Sequence, residues 1–321
     1  MPLPTILRRY CTRARNFYRK HLGSDSPSSA QICAALKSVA PELTPESFRV
    51  LKNALAYEQL ARGDQESAEQ IRTSQNPVTF EGSGIQRKPR PKQVKSVPYE
   101  DFEALSQRLT DGQFEDELAA LILAFHLGAR PCEMRTITVA GRLVHIIGGK
   151  KNAKRDRGAD RTLEIEDSGV LGIVKWAAER LQQSSRTNTA IRDRLRVECR
   201  KLWRRRKSHP TLKSFRHRLG SALKASGESP AQLAYVMGHQ SIGSIAVYGD
   251  RRAGQGMKVY VRPARGADLP TIRTPKSTPR YGRERQADEV NSPLAQQGNW
   301  IGRMGRLVES RGKSKETPAQ R

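Results

Sequence analysis

Met237-Gly238-His239-Gln240-Ser241-Ile242-Gly243-Ser244-Ile245-Ala246-Val247-Tyr248 is the stretch on which the reading of this chain turns. A Gly-His pair closes a helical pattern over residues 230–237, and a tyrosine stands nine positions beyond the histidine. A phenol is a poor nucleophile unless cationic neighbours or hydrogen bonds stabilise its oxygen, so Tyr248 read alone is a packing residue. Upstream, Lys213-Ser214-Phe215-Arg216-His217 reads as helix, with Lys213 and Arg216 three apart on one face and Phe215 turned to the core. Further upstream, Gly128-Ala129-Arg130-Pro131-Cys132-Glu133 ends a long apolar helical pattern over 114–127. Arg130 can present a planar fork to a phosphate there, and Glu133 can hold its guanidinium in place. Between these two sites, β-like runs at 142–147 and 161–165 flank Gly148-Gly149-Lys150-Lys151-Asn152-Ala153-Lys154-Arg155, which reads as a hairpin with a basic tip. The residues do not choose between Lys150 and Lys151 as the ammonium offered to a substrate.

Each element has an ordinary reading of its own: a surface ion pair, a solvated turn, a wet helix face. In this order and spacing they together resemble the tyrosine recombinases, the phage integrase family, over residues of about 96–250. The resemblance implies a mainly α (α+β) fold: a mostly helical catalytic domain with a small β-hairpin, preceded by a helical DNA-binding domain and closed as a clamp around duplex DNA. It implies that Tyr248 attacks a phosphodiester, forming a 3′-phosphotyrosine and freeing a 5′-hydroxyl. Arg130 and Arg216 match the arginines that hold the nonbridging oxygens. His239 matches the histidine that hydrogen-bonds the same phosphate, and Glu133 a supporting acid. Lys150, with Lys151 as the alternative, matches the hairpin lysine that protonates the departing oxygen. Lys213 stands where the family usually has histidine. A lysine donates to phosphate but accepts a tyrosine proton only if burial lowers its pKa, so the general base stays unassigned. No metal or other cofactor is implied, because arginines carry the charge that Mg²⁺ would supply. The partners implied are double-stranded DNA with inverted-repeat target sites, a homo-tetramer on synapsed duplexes and an accessory directionality factor. Two other functions share the pattern: a type IB topoisomerase-like nicking-closing enzyme, and a non-catalytic DNA-binding protein on the same scaffold.

Composition points the same way. The 321 residues carry 58 Lys+Arg against 32 Asp+Glu, a formal net charge of +26, which attracts a polyanion. Residues 192–207 hold nine basic side chains against two acids, among them Arg204, Arg205 and Arg206. These, with Arg87, Lys88, Arg90, Lys92 and Lys95 of a Pro-rich stretch, are expected to contact the DNA backbone without reading bases. Four scattered cysteines with no CxxC pair fit neither a disulfide framework nor a structural zinc site, and suit a reducing cytoplasm. The longest apolar run, 118–125, is too short to span a bilayer. A cytoplasmic protein of bacterial or phage origin, serving a mobile genetic element, is expected.

The expected organisation is a basic N-terminal arm at 1–26, a helical core-DNA-binding domain at 27–75, a basic linker at 76–97, a catalytic domain at 98–263 and a basic tail at 264–321. The arm reads either as an organelle transit peptide or as a helix lying on DNA phosphates. The linker lacks the composition to bury a core, and the tail's composition predicts disorder. Lys258-Val259-Tyr260-Val261 is a short β-like run that pairs either with a neighbour's sheet edge or with its own domain.

Overall fold

A computed structural model describes residues 4–86, 88–89, 93–149 and 159–274. Arg87, Arg90, Lys92, Lys150, Lys151 and most of the expected tail therefore lie outside the described residues. The chain divides into two compact units, Met1–Lys92 and Gln93–Arg321.

The first unit is helical: α1 (Pro4–His21), α2 (Ser29–Ser38), α3 (Pro45–Ala61) and α4 (Gln65–Thr73). Serine or threonine starts two of them. Ser28 caps α2 in a reciprocal capping box, and Thr44 caps α3 ahead of Pro45 at the first helical position. The segment expected as a basic arm forms α1, whose Ala14, Phe17 and Tyr18 are buried with Ile32, Leu36, Phe48 and Leu55 in this unit's core. Its Arg8, Arg9, Arg13, Arg15, Arg19 and Lys20 stay exposed. The Tyr18 hydroxyl donates to Glu58 Oε2 at 3.0 Å and accepts from Gln59 Nε2 at 2.9 Å, so the polar group it brings inside is satisfied. Val78, within the expected linker, is buried in the same core. An isolated apolar residue in a polar stretch carries no periodicity to announce this.

In the second unit, α5 (Tyr99–Asp111) and α6 (Glu115–His126) precede β1 (Ile137–Ala140), β2 (Leu143–Ile146) and β3 (Arg161–Ile165). Then follow α7 (Ser168–Gln183), α8 (Asn188–Leu202), α9 (Leu212–Ala225), α10 (Pro230–Val236) and β4 (Val261–Pro263). From Asp116 to His126 every residue of α6 is buried, as an apolar helix enclosed by α5, α7, α8 and α9 must be. Helix α9 is buried from Ser214 to Leu223. The four strands form an antiparallel sheet in chain order. The expected hairpin is β2–β3, with Val144 opposite Leu163. The β-like run near 258–261 packs back on its own domain, with Val261 opposite Ile165. Among the described residues no helix is long and apolar enough to cross a membrane.

Candidate active site

Two helix ends converge on one guanidinium. Arg216 of α9 is 2% exposed and donates to the carbonyls of Gly128, just past α6, and Met237, the C-cap of α10. Helix C-termini carry partial negative charge and unsatisfied carbonyls, so they are natural seats for a cation. Arg216 Nη2 also lies 3.2 Å from His239 Nε2. The imidazole accepts there, which places its proton on Nδ1, an atom without a partner among the described residues. Burial, followed by the charges of Arg216, Arg130 and Arg161, pushes His239 down to about 2. It is a neutral donor at physiological pH.

Glu133 is the hub of a second set. Its carboxylate takes Arg130 Nη1 at 2.5 Å, the Arg130 backbone amide at 3.0 Å, the Gly149 amide at 3.3 Å and Arg161 Nη2 at 3.0 Å. Burial alone would raise this acid, but the charges of Arg161 and Arg130 reverse the sign and bring it to about 2. The Gly149 contact ties the stem of the basic hairpin to the site, one residue before Lys150. Arg130 Nη2 reaches the Gly238 carbonyl at 3.3 Å, which joins the two sets. Gly238 has φ +61°, and a Cβ on it would strike Arg161 Nη1 and sit 3.4 Å from Arg130 Nη1. Only glycine suits both the left-handed backbone and the close approach. Two guanidinium groups thus share one carboxylate, while the third, that of Arg216, is seated on carbonyls.

Tyr248 closes the site from above α9. Its ring centroid is 4.8 Å from that of His217 and 4.8 Å from that of His239, with Arg216 Cζ 5.1 Å from its centroid. Gly220 and Ser221 on α9 leave room for the chain to lie close. Gly220 stands where a Cβ would meet the Tyr248 Cβ at 3.2 Å, and Ser221 Oγ accepts the Asp250 amide at 3.0 Å. Burial opposes ionisation of the phenol, but Arg216, then Arg130 and Lys213, outweigh it and lower its pKa below the ordinary tyrosine value. A lowered phenol pKa on a residue among arginines is the condition for nucleophilic use. The loop carrying it is held from the far side too. Arg273 pairs with Ser241 in a parallel bridge, its amide donating to Gln240 at 3.0 Å and its carbonyl accepting from Ile242 at 3.1 Å.

Arg130, Glu133, Arg216, His239 and Tyr248 are thus brought together. Lys213 points its ammonium outward, 3.2 Å from Gln93 Oε1, while adding to the field at Tyr248 and His217. Arg206 grips Asp101 through two bonds of 2.5 and 2.8 Å, and Lys88 donates to the Glu42 carbonyl at 2.7 Å. Arg204, Arg205 and Lys95 are exposed. Sequence reasoning missed Arg161 and gave His217 no role. The inward alternation of Arg161, Leu163 and Ile165 was the available signal for the first. For the second, nothing in the spacing marks the residue after Arg216 as facing Tyr248.

No protein-family profile and no curated protein sequence matches the chain. Solved structures do match. A lambda integrase dimer bound to a COC′ core site superposes with a TM-score of 0.53 at 16% identity, covering 81% of this chain and 75% of that one. A lambda integrase tetramer bound to a Holliday junction gives 0.52 at 14% identity, with the same coverage. The chain has the mainly α tyrosine-recombinase fold, with its small antiparallel sheet.

Proposed function

We propose that the chain is a site-specific DNA recombinase that cuts and rejoins strands through a 3′-phosphotyrosine at Tyr248. The observation that carries this reading is a tyrosine with a lowered pKa, set over Arg216 and between two imidazoles, in a pocket where Arg130 and Arg161 share the carboxylate of Glu133 and Arg216 adds a third positive charge. Such a pocket holds excess positive charge that only an anion can answer, and a phosphate bearing developing charge answers it best. Tyr248 attacks as the phenolate that its lowered pKa favours, its proton passing to water; the Oη–P bond forms and the P–O5′ bond breaks. The 5′ oxygen leaves as a hydroxyl after taking a proton, a role that suits the hairpin lysine, Lys150 or Lys151. The ester bond energy is kept in the phosphotyrosine, so attack by a second 5′-hydroxyl rejoins DNA without an external energy source. Arg130 and Arg216 hold the nonbridging oxygens, and the Nδ1–H of His239 is available as a third donor.

The fold neighbours are integrases bound to DNA as a dimer and a tetramer, which supports duplex DNA and further copies of this chain as partners. The test is a duplex whose cut strand releases a short 5′-hydroxyl fragment, trapping any covalent intermediate. Wild-type protein should form an adduct mapped to Tyr248, and Tyr248→Phe should form none while binding DNA within about twofold of wild type. Joining of two separate duplexes identifies a recombinase. Relaxation of supercoils by single protomers without joining identifies the topoisomerase-like activity, and absence of any adduct identifies a binding scaffold.

A further inference from the structure

Alternation along β3 puts Arg161 on the buried face with Leu163 and Ile165, where an apolar side chain is the rule. The Arg161 and Glu133 side chains are both 0% exposed, with Arg161 Nη2 at 3.0 Å from Glu133 Oε2. The other oxygen of that carboxylate meets Arg130 Nη1 at 2.5 Å, and the Arg130 side chain is 16% exposed. Arg161 Nε and Nη1 have no hydrogen-bond partner among the described residues. A buried guanidinium with two idle nitrogens is a poor way to stabilise a strand, since desolvation outweighs what a single ion pair returns. Leucine would pack the position better. The placement makes sense only for what it does to its neighbour.

We propose that Arg161 is a positioning residue for strand cleavage: it grips the inner oxygen of Glu133 and thereby locks the Arg130 guanidinium toward the phosphate. The proposal rests on the DNA strand-transfer reading of the site. Arg161 is wholly enclosed and touches no substrate. It acts through the carboxylate, sharing Oε2 with the Arg130 backbone amide while the Arg130 guanidinium takes Oε1. Without that inner grip, Oε2 keeps only the Arg130 backbone amide, the carboxylate loses its fully buried cationic anchor, and the guanidinium of Arg130, the more exposed of the two arginines, is held less firmly. Gly238 completes the device, because its missing side chain leaves space for the Arg161 guanidinium beneath the backbone that accepts from Arg130.

The test is a cycle of variants read by adduct formation at Tyr248: Arg161→Met, Arg130→Lys and the pair combined. Misplacing a substrate-holding group by about an ångström costs on the order of 100-fold, so Arg161→Met should slow cleavage by about 10- to 100-fold. In the Arg130→Lys background, where the positioned guanidinium is already gone, the same change should add less than about threefold, the non-additivity expected of groups acting in series. The loss of melting temperature should be equal in both backgrounds. Arg161→Lys, which keeps one donor on the carboxylate, should fall between wild type and Arg161→Met, and it carries the same cycle if the methionine variant fails to fold. A second arm needs no DNA. In ¹⁵N-labelled protein the Arg130 guanidinium N–H signals, assigned by their loss in Arg130→Lys, should be slow to exchange in wild type and broadened in the Arg161 variants. Equal slowing of cleavage in both backgrounds, or unchanged Arg130 signals on removing Arg161, overturns the proposal. If wild-type protein forms no adduct, the functional reading falls, while the guanidinium signals still decide whether Arg161 positions Arg130.

Discussion

Three buried histidines govern how this chain meets acid. Burial pushes His126 down to about 3, His217 to about 4 and His239 to about 2, with nearby arginine or lysine charge adding to each. All three are neutral in the folded state at pH 6, whereas an unfolded chain protonates its histidines from about pH 6.5 downward. The unfolded state therefore binds more protons below pH 6.5, and stability falls as the pH falls, by up to about 1.4 kcal/mol per unit for each histidine. Glu133 works in a lower window. Its depressed value of about 2 contributes stability that is complete above its unfolded value of 4.5 and is lost progressively as the pH falls from there to about 2. The melting temperature should thus drop clearly between pH 7 and pH 5. His126→Phe, whose ring would join Phe102, Phe125 and Tyr260, should flatten that slope; an unchanged slope would show that His126 is not among the groups responsible. At this scale Arg130, Arg216, His239 and Tyr248 were legible because side-chain type and spacing are written in the sequence. Arg161 was not, because arginine at the start of a short strand reads as a solvent-facing residue unless its partner across 28 positions is known.

Helices were legible as elements, whereas strand β1 was not. The Thr44-Pro45 start, the Ser28 cap and the apolar run of α6 all lie in local sequence. Strand β1 has four residues, and unlike β2 of the same length it borders no basic hairpin tip to mark it; β4 was read a few residues early, at 258–261 against Val261–Pro263. The turns that join elements make a sharp comparison. Gly227 has φ +82° with nothing within 4 Å of an added Cβ, while Gly238 has φ +61° with two arginines in the way. Gly227→Ala should cost about 1 kcal/mol of stability from backbone strain and leave strand cleavage unchanged. Gly238→Ala should show comparable strain and also slow cleavage by at least about 100-fold, because a buried guanidinium must move. Measuring melting temperature and adduct formation on both variants separates strain from site geometry, and equal activity in the two would refute the role given to Gly238.

Across the whole molecule, charge dominates behaviour. With +26 spread over 321 residues and exposed arginines along α1 and α8, binding to duplex DNA should be led by counterion release. A plot of log affinity against log salt should have a slope of about −5 or steeper, as expected when at least about six phosphates are neutralised. A flat response would exclude a basic surface lying along the backbone. Overall charge was legible in composition, whereas the burial of Val78 and Val97 within a stretch of linker composition was not, since single apolar residues leave no pattern. The bridge between Ser241 and Arg273 has a consequence for the order in which the protein is made. A chain leaving the ribosome delivers Arg130, Arg216, His239 and Tyr248 well before residue 273, and domains fold as their sequence emerges. The loop carrying Tyr248 gains this backbone partner only when that later residue has appeared. Completion of the site thus waits on a residue well downstream of Tyr248, and a nascent chain short of that point carries an unfinished site.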